Sequence, residues 1–410
     1  MQDRIHLSIA HLSGKETKYI QEAFDTNWVT TAGFNLDAFE KDLEVFLHLC
    51  HSCETGKQRP ATASSRVLAL NSGTAAIHLG LALLGVEAGD EVICQSFTYT
   101  ASTNPIYYLG AKPVFVDSEP DTWNMSPLFL EKAIKDQIKK TGKKPKVIIA
   151  VHLYGMPVRM DRILQIAENY GIPVLEDAAE ALGSMYRGRH CGTFGELAAL
   201  SFNGNKIITT SGGGALLSKN ESYIRRARFL ATQARDIAPH YQHSHVGYNY
   251  RMSNILAGIG RGQMEVLPQR VEQRRKNNRF YREHLSGIDG ITFQTEPSPD
   301  FFSNYWLTSI VIDPAKTGGI TREDLRLALE AANIESRPLW KPMHLQPVFA
   351  GCPYYGDGTS ERLFENGLCL PSGSILTEKE LLRIVEKIVD LPPNPLQRRG
   401  SGCTLVWKGR

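Results

Sequence analysis

The chain has 410 residues, which predicts two domains, and its charged fraction of 22% is ordinary for a globular protein. The formal net charge of +3 gives no support for nucleic-acid binding, and no apolar run approaches the roughly 20 residues that span a bilayer. Because the first residues carry no signal-peptide core, we expect a cytoplasmic protein without a nucleic-acid or membrane partner.

Seven cysteines are scattered along the chain, as expected of free thiols in a long cytosolic protein. Cys50 and Cys53, with His48 nearby, have the spacing of half a zinc site. No second ligand pair follows at a usual spacing. We therefore predict no metal site, and interpret this stretch as a helix end that runs into a polar loop.

The first helical pattern covers residues 37–49, where four apolar side chains fall on one face. The polar residues that follow are typical of an exposed loop, with an insertion near residues 51–65. Seven short apolar runs come next, mostly separated by helical patterns such as 75–84 and 160–170. They predict a largely parallel sheet that is covered on both faces. The runs are 67–70, 91–94, 113–116, 147–151, 173–175, 198–201 and 215–217.

A change of pattern after about residue 260 indicates a smaller α+β unit. Residues 265–285 predict one long charged helix, and we interpret its arginines as a solvated face rather than as a nucleic-acid surface. A strand pattern at 306–312 and helical patterns at 322–332 and 378–388 follow.

The sequence thus predicts an α/β fold with two domains. The large domain covers residues 1–260 and contains a seven-stranded, mainly parallel sheet between helices. The smaller C-terminal domain covers residues 261–392, and residues 393–410 form a loose tail.

Ser72, Gly73 and Thr74 lie between a predicted strand and a predicted helix. Backbone N–H groups and the helix dipole favour an anion at such a position. Gly73 permits a close approach, and the Thr74 hydroxyl adds a donor. The alternative is an ordinary helix cap, where Ser and Thr are common.

Two acids follow the predicted strand at 173–175. Asp177 lies at the carboxyl end of this strand, where such sheets bind ligands. Its carboxylate could keep a pyridine nitrogen protonated, so that the ring accepts electrons, or it could cap a helix. Glu180 could contact a ring hydroxyl or a catalytic water, or it could be a surface acid.

Lys206 follows Ser201 by five residues and precedes the glycines at 212–214, which could let the chain turn sharply. Ser201 is a plausible phosphate donor. A lysine in a loop is usually solvated, but an amine here could form an imine with an aldehyde. It must then be neutral part of the time, through burial beside another cation or through imine formation itself.

Phe97 and Tyr99 follow the second predicted strand. One of them could stack on a cofactor ring, and the other belongs to the core. An amine, an acid, a phosphate turn and a stacking ring at successive strand ends together predict pyridoxal 5'-phosphate (PLP) chemistry.

At this point the sequence resembles the DegT-type nucleotide-sugar aminotransferases of the PLP fold type I superfamily, over roughly residues 5–390. The combination of motifs is highly specific for that family. The matching segments are Trp28–Gly33, Asn71–Ala76, Glu176–Gly183, Ser201–Lys206 and Gly247–Met252.

The resemblance implies roles for the residues at the strand ends. Lys206 would bind the cofactor covalently and move the proton, Asp177 would hold the pyridine nitrogen, and Glu180 would lie beside the ring hydroxyl. Those expected to hold the phosphate are Gly73, Thr74 and Ser201, and Tyr99 is expected to stack on the ring.

The same resemblance implies a homodimer with shared active sites. Asn249 and Arg251 lie in a segment that reaches into the partner's site in this family. Trp28 and Thr30 in the first matching segment are expected to bind substrate.

The variant at 201–206 resembles the branch that acts on UDP-2-acetamido-4-keto-6-deoxyhexose substrates, as in bacillosamine synthesis. Lys341 and His344 would bind the sugar or its diphosphate, unless they are surface residues of the small domain. The reaction implied is transfer of an amino group from L-glutamate to the 4-keto carbon of the sugar.

Two other functions stay open. A PLP- or pyridoxamine-dependent sugar dehydratase is expected to have histidine in place of Lys206. A non-catalytic sensor or regulator is expected to lack this lysine or to carry an added DNA-binding segment. Lys206 argues against both.

Overall fold

The computed structural model describes residues 3–48 and 66–391. The predicted insertion at 51–65, the cysteines Cys50 and Cys53, and the tail at 393–410 lie outside the described residues. Within these two ranges no helix has the length and hydrophobicity that a bilayer crossing needs.

The helices alternate with strands through most of the described chain. The α-helices of the described residues are α1 (Glu16–Asp25), α2 (Phe34–Phe46), α3 (Gly73–Leu83), α4 (Asn104–Tyr108), α5 (Pro127–Thr141), α6 (Met160–Tyr170), α7 (Glu221–Ala231), α8 (Asn254–Met264), α9 (Leu267–Leu285), α10 (Arg322–Ala331), α11 (Thr359–Asn366) and α12 (Glu378–Val389).

The strands belong to three sheets. They are β1 (Val67–Leu70), β2 (Glu91–Gln95), β3 (Lys112–Val116), β4 (Val147–Val151), β5 (Val174–Asp177), β6 (Met185–Tyr186), β7 (Arg189–His190), β8 (Leu197–Ser201), β9 (Gly214–Leu217), β10 (Ile291–Phe293), β11 (Phe301–Phe302), β12 (Thr308–Ile312), β13 (Arg337–Pro338), β14 (Tyr354–Tyr355) and β15 (Gly367–Leu370).

The largest sheet has the strand order β1-β9-β8-β5-β4-β2-β3-β14. Its neighbours pair in parallel except around β9, which is antiparallel to both β1 and β8. The seven predicted strands are confirmed. An eighth, β14, adds to the edge beside β3, and a two-residue strand leaves no periodic pattern in the sequence.

Both faces of this sheet are covered, as its apolar runs predict. In β1, Val67 and Ala69 pack into one hydrophobic cluster and Leu68 and Leu70 into another, because successive side chains point to opposite faces. The strands therefore lie inside the molecule, and only their ends are available for chemistry.

Several helix boundaries differ from the sequence patterns by two or three residues. Helix α2 begins and ends three residues before the predicted 37–49, because Gly33 precedes it with a φ of 139°. Helix α3 begins at Gly73, two residues early, because the Ser72 side chain accepts a hydrogen bond from the N–H of Ala75. Helix α6 has the predicted bounds.

The smaller unit is built on the sheet β10-β12-β15-β13, packed against helices α9, α10 and α12. The boundary between the domains at residues 260 and 261 stays a prediction. A short segment from each side of this boundary packs with the unit on the other side. Ile5 belongs to the core of the smaller unit and bridges Ile334, whereas β14 joins the large sheet.

The solvated-face interpretation of the long helix α9 is wrong for two of its arginines. Arg270 and Arg274 are both buried, and Arg274 is only 1% exposed. The Arg274 guanidinium donates to the carbonyl oxygens of Trp306 and Ser372 and to the Ser8 hydroxyl. Helix α9 therefore lies between other elements, and neutral oxygens solvate its buried cation in place of water.

Candidate active site

A cavity of about 420 Å³ lies where the strands β1, β2, β4, β5 and β8 end. Seven of the residues predicted from the sequence line it together: Gly73, Thr74, Tyr99, Asp177, Glu180, Ser201 and Lys206. A larger, shallower opening of about 640 Å³ lies beside β10 and β12, and none of the predicted residues lines it.

The start of helix α3 forms one wall of the cavity. Ser72 takes the capping role, since its Oγ accepts from the Ala75 N–H at 3.0 Å, while Gly73 and Thr74 line the cavity. A Cβ atom at Gly73 would lie 3.0 Å from the Ser201 Cβ and 3.2 Å from the Leu200 carbonyl oxygen. Glycine therefore lets the helix start approach β8 closely, and Thr74 and Ser201 both line the cavity.

Asp177 lies at the end of β5 and is buried, with 5% of its surface exposed. Its Oδ2 accepts a hydrogen bond from the Ser102 hydroxyl at 2.6 Å, and its Oδ1 accepts from the Ala179 N–H at 3.1 Å. Two donors thus fix the orientation of the carboxylate that faces the cavity.

Glu180 is buried beside Lys206, so the surface-acid alternative is wrong. Its Oε1 lies 3.4 Å from the Lys206 Nζ, and its Oε2 accepts from the Tyr154 N–H at 2.7 Å. Tyr154 has a left-handed φ of 55°, which turns this N–H toward the carboxylate. Burial raises the pKa of Glu180, and the charge of Lys206 opposes that rise.

The Lys206 side chain is 12% exposed, so it is not a solvated lysine. Its Nζ lies 4.2 Å from the centroid of the Trp306 ring, within cation–π range. Its amine therefore lies between a carboxylate and an aromatic face, at the wall of the cavity.

The carbonyl groups of the Lys206 loop are tied to distant parts of the chain. The Asn205 carbonyl accepts from the Ser8 hydroxyl at 2.7 Å and from the Trp306 indole N–H at 2.8 Å. The Lys206 carbonyl accepts from the buried Arg274 guanidinium at 3.4 Å. Contacts from beyond the large sheet thus hold the loop in place.

The glycines at 212–214, which could let the chain turn sharply, all lack a positive φ. The residue with a positive φ, 71°, is Ser211. The glycines serve close packing instead, since a Cβ at Gly213 would lie 2.1 Å from the Thr210 Oγ1.

The aromatic pair after β2 divides as expected. Phe97 is fully buried in the core, whereas Tyr99 is 58% exposed and lines the cavity. Tyr99 packs edge-on against Trp340, with the ring centroids 5.0 Å apart.

Six of the predicted residues do not line the cavity. Four of them, Trp28, Thr30, Asn249 and Lys341, are exposed on this chain. Their predicted roles toward substrate or a partner subunit stay predictions.

The expectation for Arg251 differs from the structure. Its guanidinium is buried and donates to the Glu40 Oε1 at 2.6 Å and to the Ala69 carbonyl at 2.8 Å. Because its charge is paired inside its own chain, the side chain does not extend toward a partner.

His344 does not line the cavity, and both of its ring nitrogens are engaged within the chain, so its predicted role toward substrate stays a prediction. Nδ1 lies 2.7 Å from the Ser96 hydroxyl and Nε2 lies 3.1 Å from the Glu361 Oε1. The ring also stacks on Tyr354, with the centroids 3.7 Å apart. His344 therefore joins elements of the fold.

Several residues of the site were not singled out from the sequence. Trp306 and Trp340 line the cavity from the smaller unit, and Ser102 lies behind Asp177. Trp306 is far from the strand ends in sequence, and no local motif points to it. Trp340 precedes Lys341 in a segment predicted to bind the sugar, but its own role was not predicted. Ser102 lies in the segment that follows β2, where a role in the site was predicted only for the aromatic residues.

Comparison with known proteins decides the family. The sequence pattern of the DegT/DnrJ/EryC1/StrS aminotransferase family matches residues 11–389. The chain belongs to this family. The predicted family, the PLP fold type I architecture and the aminotransferase class are thereby confirmed.

The family member EpsN of Bacillus subtilis, named as a candidate pyridoxal phosphate-dependent aminotransferase, is 48% identical over 95% of this chain and 96% of its own. The GDP-perosamine synthase of Escherichia coli O157:H7 is 36% identical over 92% of this chain and 95% of its own. Among solved structures, the PLP form of Spr1654 from Streptococcus pneumoniae, a candidate sugar aminotransferase, has a TM-score of 0.81 and 26% identity. The superposition covers 94% of this chain and 97% of the Spr1654 chain.

Proposed function

We propose that this family member is a PLP-dependent aminotransferase that moves an amino group from L-glutamate to the 4-keto carbon of a nucleotide-linked 6-deoxy sugar. The preferred acceptor is a UDP-2-acetamido-4-keto-6-deoxyhexose. The observation that carries the proposal is the Lys206 amine, which shares one cavity with the buried carboxylates of Asp177 and Glu180.

The residues of the cavity fit PLP in size and in chemistry. Gly73, Thr74 and Ser201 form a wall of backbone and hydroxyl groups suited to a phosphate. Asp177 would hold the ring nitrogen, and Tyr99 would cover the ring. When bound, PLP supplies an electron sink for the carbanion formed next to the transferred nitrogen.

The chain's own part in the reaction is proton handling and orientation. Lys206 takes a proton at Nζ from the donor carbon in one half-reaction and returns one to the sugar carbon in the other. Glu180, 3.4 Å from this amine, receives a hydrogen bond from it and fixes its direction. Trp306 shields the other side of the amine from water.

The partner subunit completes the proposed site. We propose a homodimer in which Asn249 reaches the neighbouring cavity, while Arg251 acts only within its own chain. The cytoplasmic location remains a prediction. The dehydratase and regulator hypotheses are disfavoured by the largely covered, cavity-lining Lys206.

A labelled transfer reaction tests the proposed function. The purified protein is incubated with PLP, glutamate carrying ¹⁵N in its amino group, and either the UDP-linked or a GDP-linked 4-keto-6-deoxy sugar. Mass spectrometry should detect one ¹⁵N in the sugar product, with the UDP-linked acceptor preferred. Transfer to the GDP-linked sugar alone would correct the substrate, and transfer to neither sugar would overturn the proposal.

A further inference from the structure

The hydroxyl groups of Thr98 and Ser102 form a short chain that ends on Asp177. The Thr98 Oγ1 lies 2.7 Å from the Ser102 Oγ, and the Ser102 Oγ lies 2.6 Å from the Asp177 Oδ2. Both hydroxyl residues are 1% exposed, so water does not compete for these hydrogen bonds. We propose that this pair positions the Asp177 carboxylate for the ring nitrogen of the cofactor.

The direction of each hydrogen bond follows from the chemistry of its end group. An ionised carboxylate only accepts, so the single hydroxyl hydrogen of Ser102 goes to Asp177. The Ser102 oxygen is then an acceptor for Thr98, which donates. This order polarises the Ser102 hydroxyl and strengthens its bond to the carboxylate.

The local backbone explains why Ser102 can reach Asp177. Residues Thr100–Ser102 form a 3-10 turn after β2, and the Ser102 N–H donates to the Tyr99 carbonyl. Strand β4 lies between β2 and β5 in the sheet, and the turn carries Ser102 across the end of β4. Ser102 lies outside the lining of the cavity, so it acts through Asp177 as a positioning residue, whereas Thr98 lines the cavity and reaches Asp177 through Ser102.

The second carboxylate oxygen makes this orientation specific. Oδ1 accepts from the Ala179 N–H, which belongs to the chain just after β5. With Ser102 on Oδ2 and Ala179 on Oδ1, the carboxylate plane is held from two sides. A side chain held in this way binds a ring nitrogen without first losing rotational freedom.

The test is the affinity for pyridoxamine 5'-phosphate, measured by calorimetry on the full-length protein. This inference rests on the proposed function, and the probe suits it because an amine cannot bond covalently to Lys206. Ser102→Ala should weaken binding about tenfold, the size expected for a hydrogen bond to a charged group. Thr98→Val should weaken it about threefold, because the Ser102 hydroxyl then loses its donor.

Thr103→Val is the matched control. Thr103 is fully buried beside the same turn, but its hydroxyl donates to the Thr100 carbonyl and does not contact Asp177. This variant should leave the affinity within about twofold of wild type. If Ser102→Ala does not fold, Thr98→Val takes its place in the comparison with Thr103→Val. Because Thr98 itself lines the cavity, Thr98→Val is then also measured in the Asp177→Asn background, where an effect that acts through Asp177 should disappear.

A double-mutant cycle separates positioning from general loss of packing. In an Asp177→Asn background the ring nitrogen has lost its carboxylate, so adding Ser102→Ala should change the affinity less than about twofold. An equal loss in both backgrounds, or a Ser102→Ala protein that binds like Thr103→Val, overturns the inference alone. A wild-type protein that does not bind the probe overturns the proposed function and the inference with it.

Discussion

The Lys206 Nζ lies 3.4 Å from the Glu180 Oε1, inside a cavity and close to the ring of Trp306. Burial favours the neutral form of Glu180, whereas the lysine charge favours the carboxylate. The protonation of Glu180 therefore depends on the charge beside it, which a bound ligand can change. This arrangement is typical of sites where catalysis has been favoured over stability.

Glu180→Gln should separate the contribution of this carboxylate to catalysis from its cost to stability. The variant should lower kcat/KM at least about tenfold, because the proton-moving lysine loses its charged partner. The cofactor-free variant should also melt at a higher temperature than wild type at pH 7, since a desolvated carboxylate is removed.

The pH dependence of this stability difference follows from the raised pKa of Glu180. A carboxyl group whose folded pKa is raised destabilises the fold only when it is ionised. The melting difference should therefore be fully present above the folded pKa and vanish only well below pH 4.5, the ordinary pKa of this side chain, where Glu180 is protonated in both states. A difference that stays constant from pH 4.5 to 7 would contradict this assignment.

Arg274→Met should destabilise the protein by about 2–4 kcal/mol, since buried carbonyl oxygens lose their charged donor. Hydrogen exchange should also become faster in the peptides that contain Lys206, whose carbonyl Arg274 contacts. Arg279→Met is the control, because Arg279 is exposed on the same helix and pairs only with Glu272 among the ion pairs of the described residues. Equal exchange at Lys206 in the two variants would argue against an anchoring role.

Mixing two inactive variants tests whether the active sites are shared. A 1:1 mixture of Lys206→Ala and Asn249→Ala subunits should recover up to about a quarter of wild-type activity, because half of the dimers are hybrids with one intact site. Arg251→Ala should not be rescued in the same assay, since its partner Glu40 lies in its own chain. No recovery with Asn249→Ala would place that residue in its own subunit's site, or outside both.

Arg251→Ala should instead act on stability. Removing the guanidinium leaves the buried Glu40 carboxylate with fewer partners, which should cost about 3–5 kcal/mol of unfolding free energy. Chemical denaturation of the variant and of Glu40→Gln measures the effect. A loss below about 1 kcal/mol would show that the pair is not a structural anchor.

Much of the fold was predictable, because the strands of the large sheet are buried on both faces and so appear as continuous apolar runs. Strand β14 was not, since two residues paired at a sheet edge have no period. The burial of Arg274 was also hidden, because carbonyl oxygens from three separate segments solvate it. Long-range polar contacts of this kind leave no local trace in a sequence.

The site shows the same division. Asp177, Glu180 and Lys206 stand at strand ends, where the topology of an α/β sheet brings ligand-binding residues together. Trp340 lines the cavity although its neighbours Lys341 and His344 do not, since Lys341 is exposed and the His344 ring contacts Glu361. Which residue of a short segment faces a cavity depends on packing that only the folded chain defines.

The proposed function depends on Lys206 as the residue that bonds to the cofactor. The protein is incubated with PLP, reduced with borohydride, digested, and its peptides are measured by mass spectrometry. We expect the added mass on the peptide that contains Lys206. The Lys206→Ala protein should show neither this added mass nor any sugar amination. A label on a different lysine, or a Lys206→Ala protein that still aminates the sugar, would contradict it.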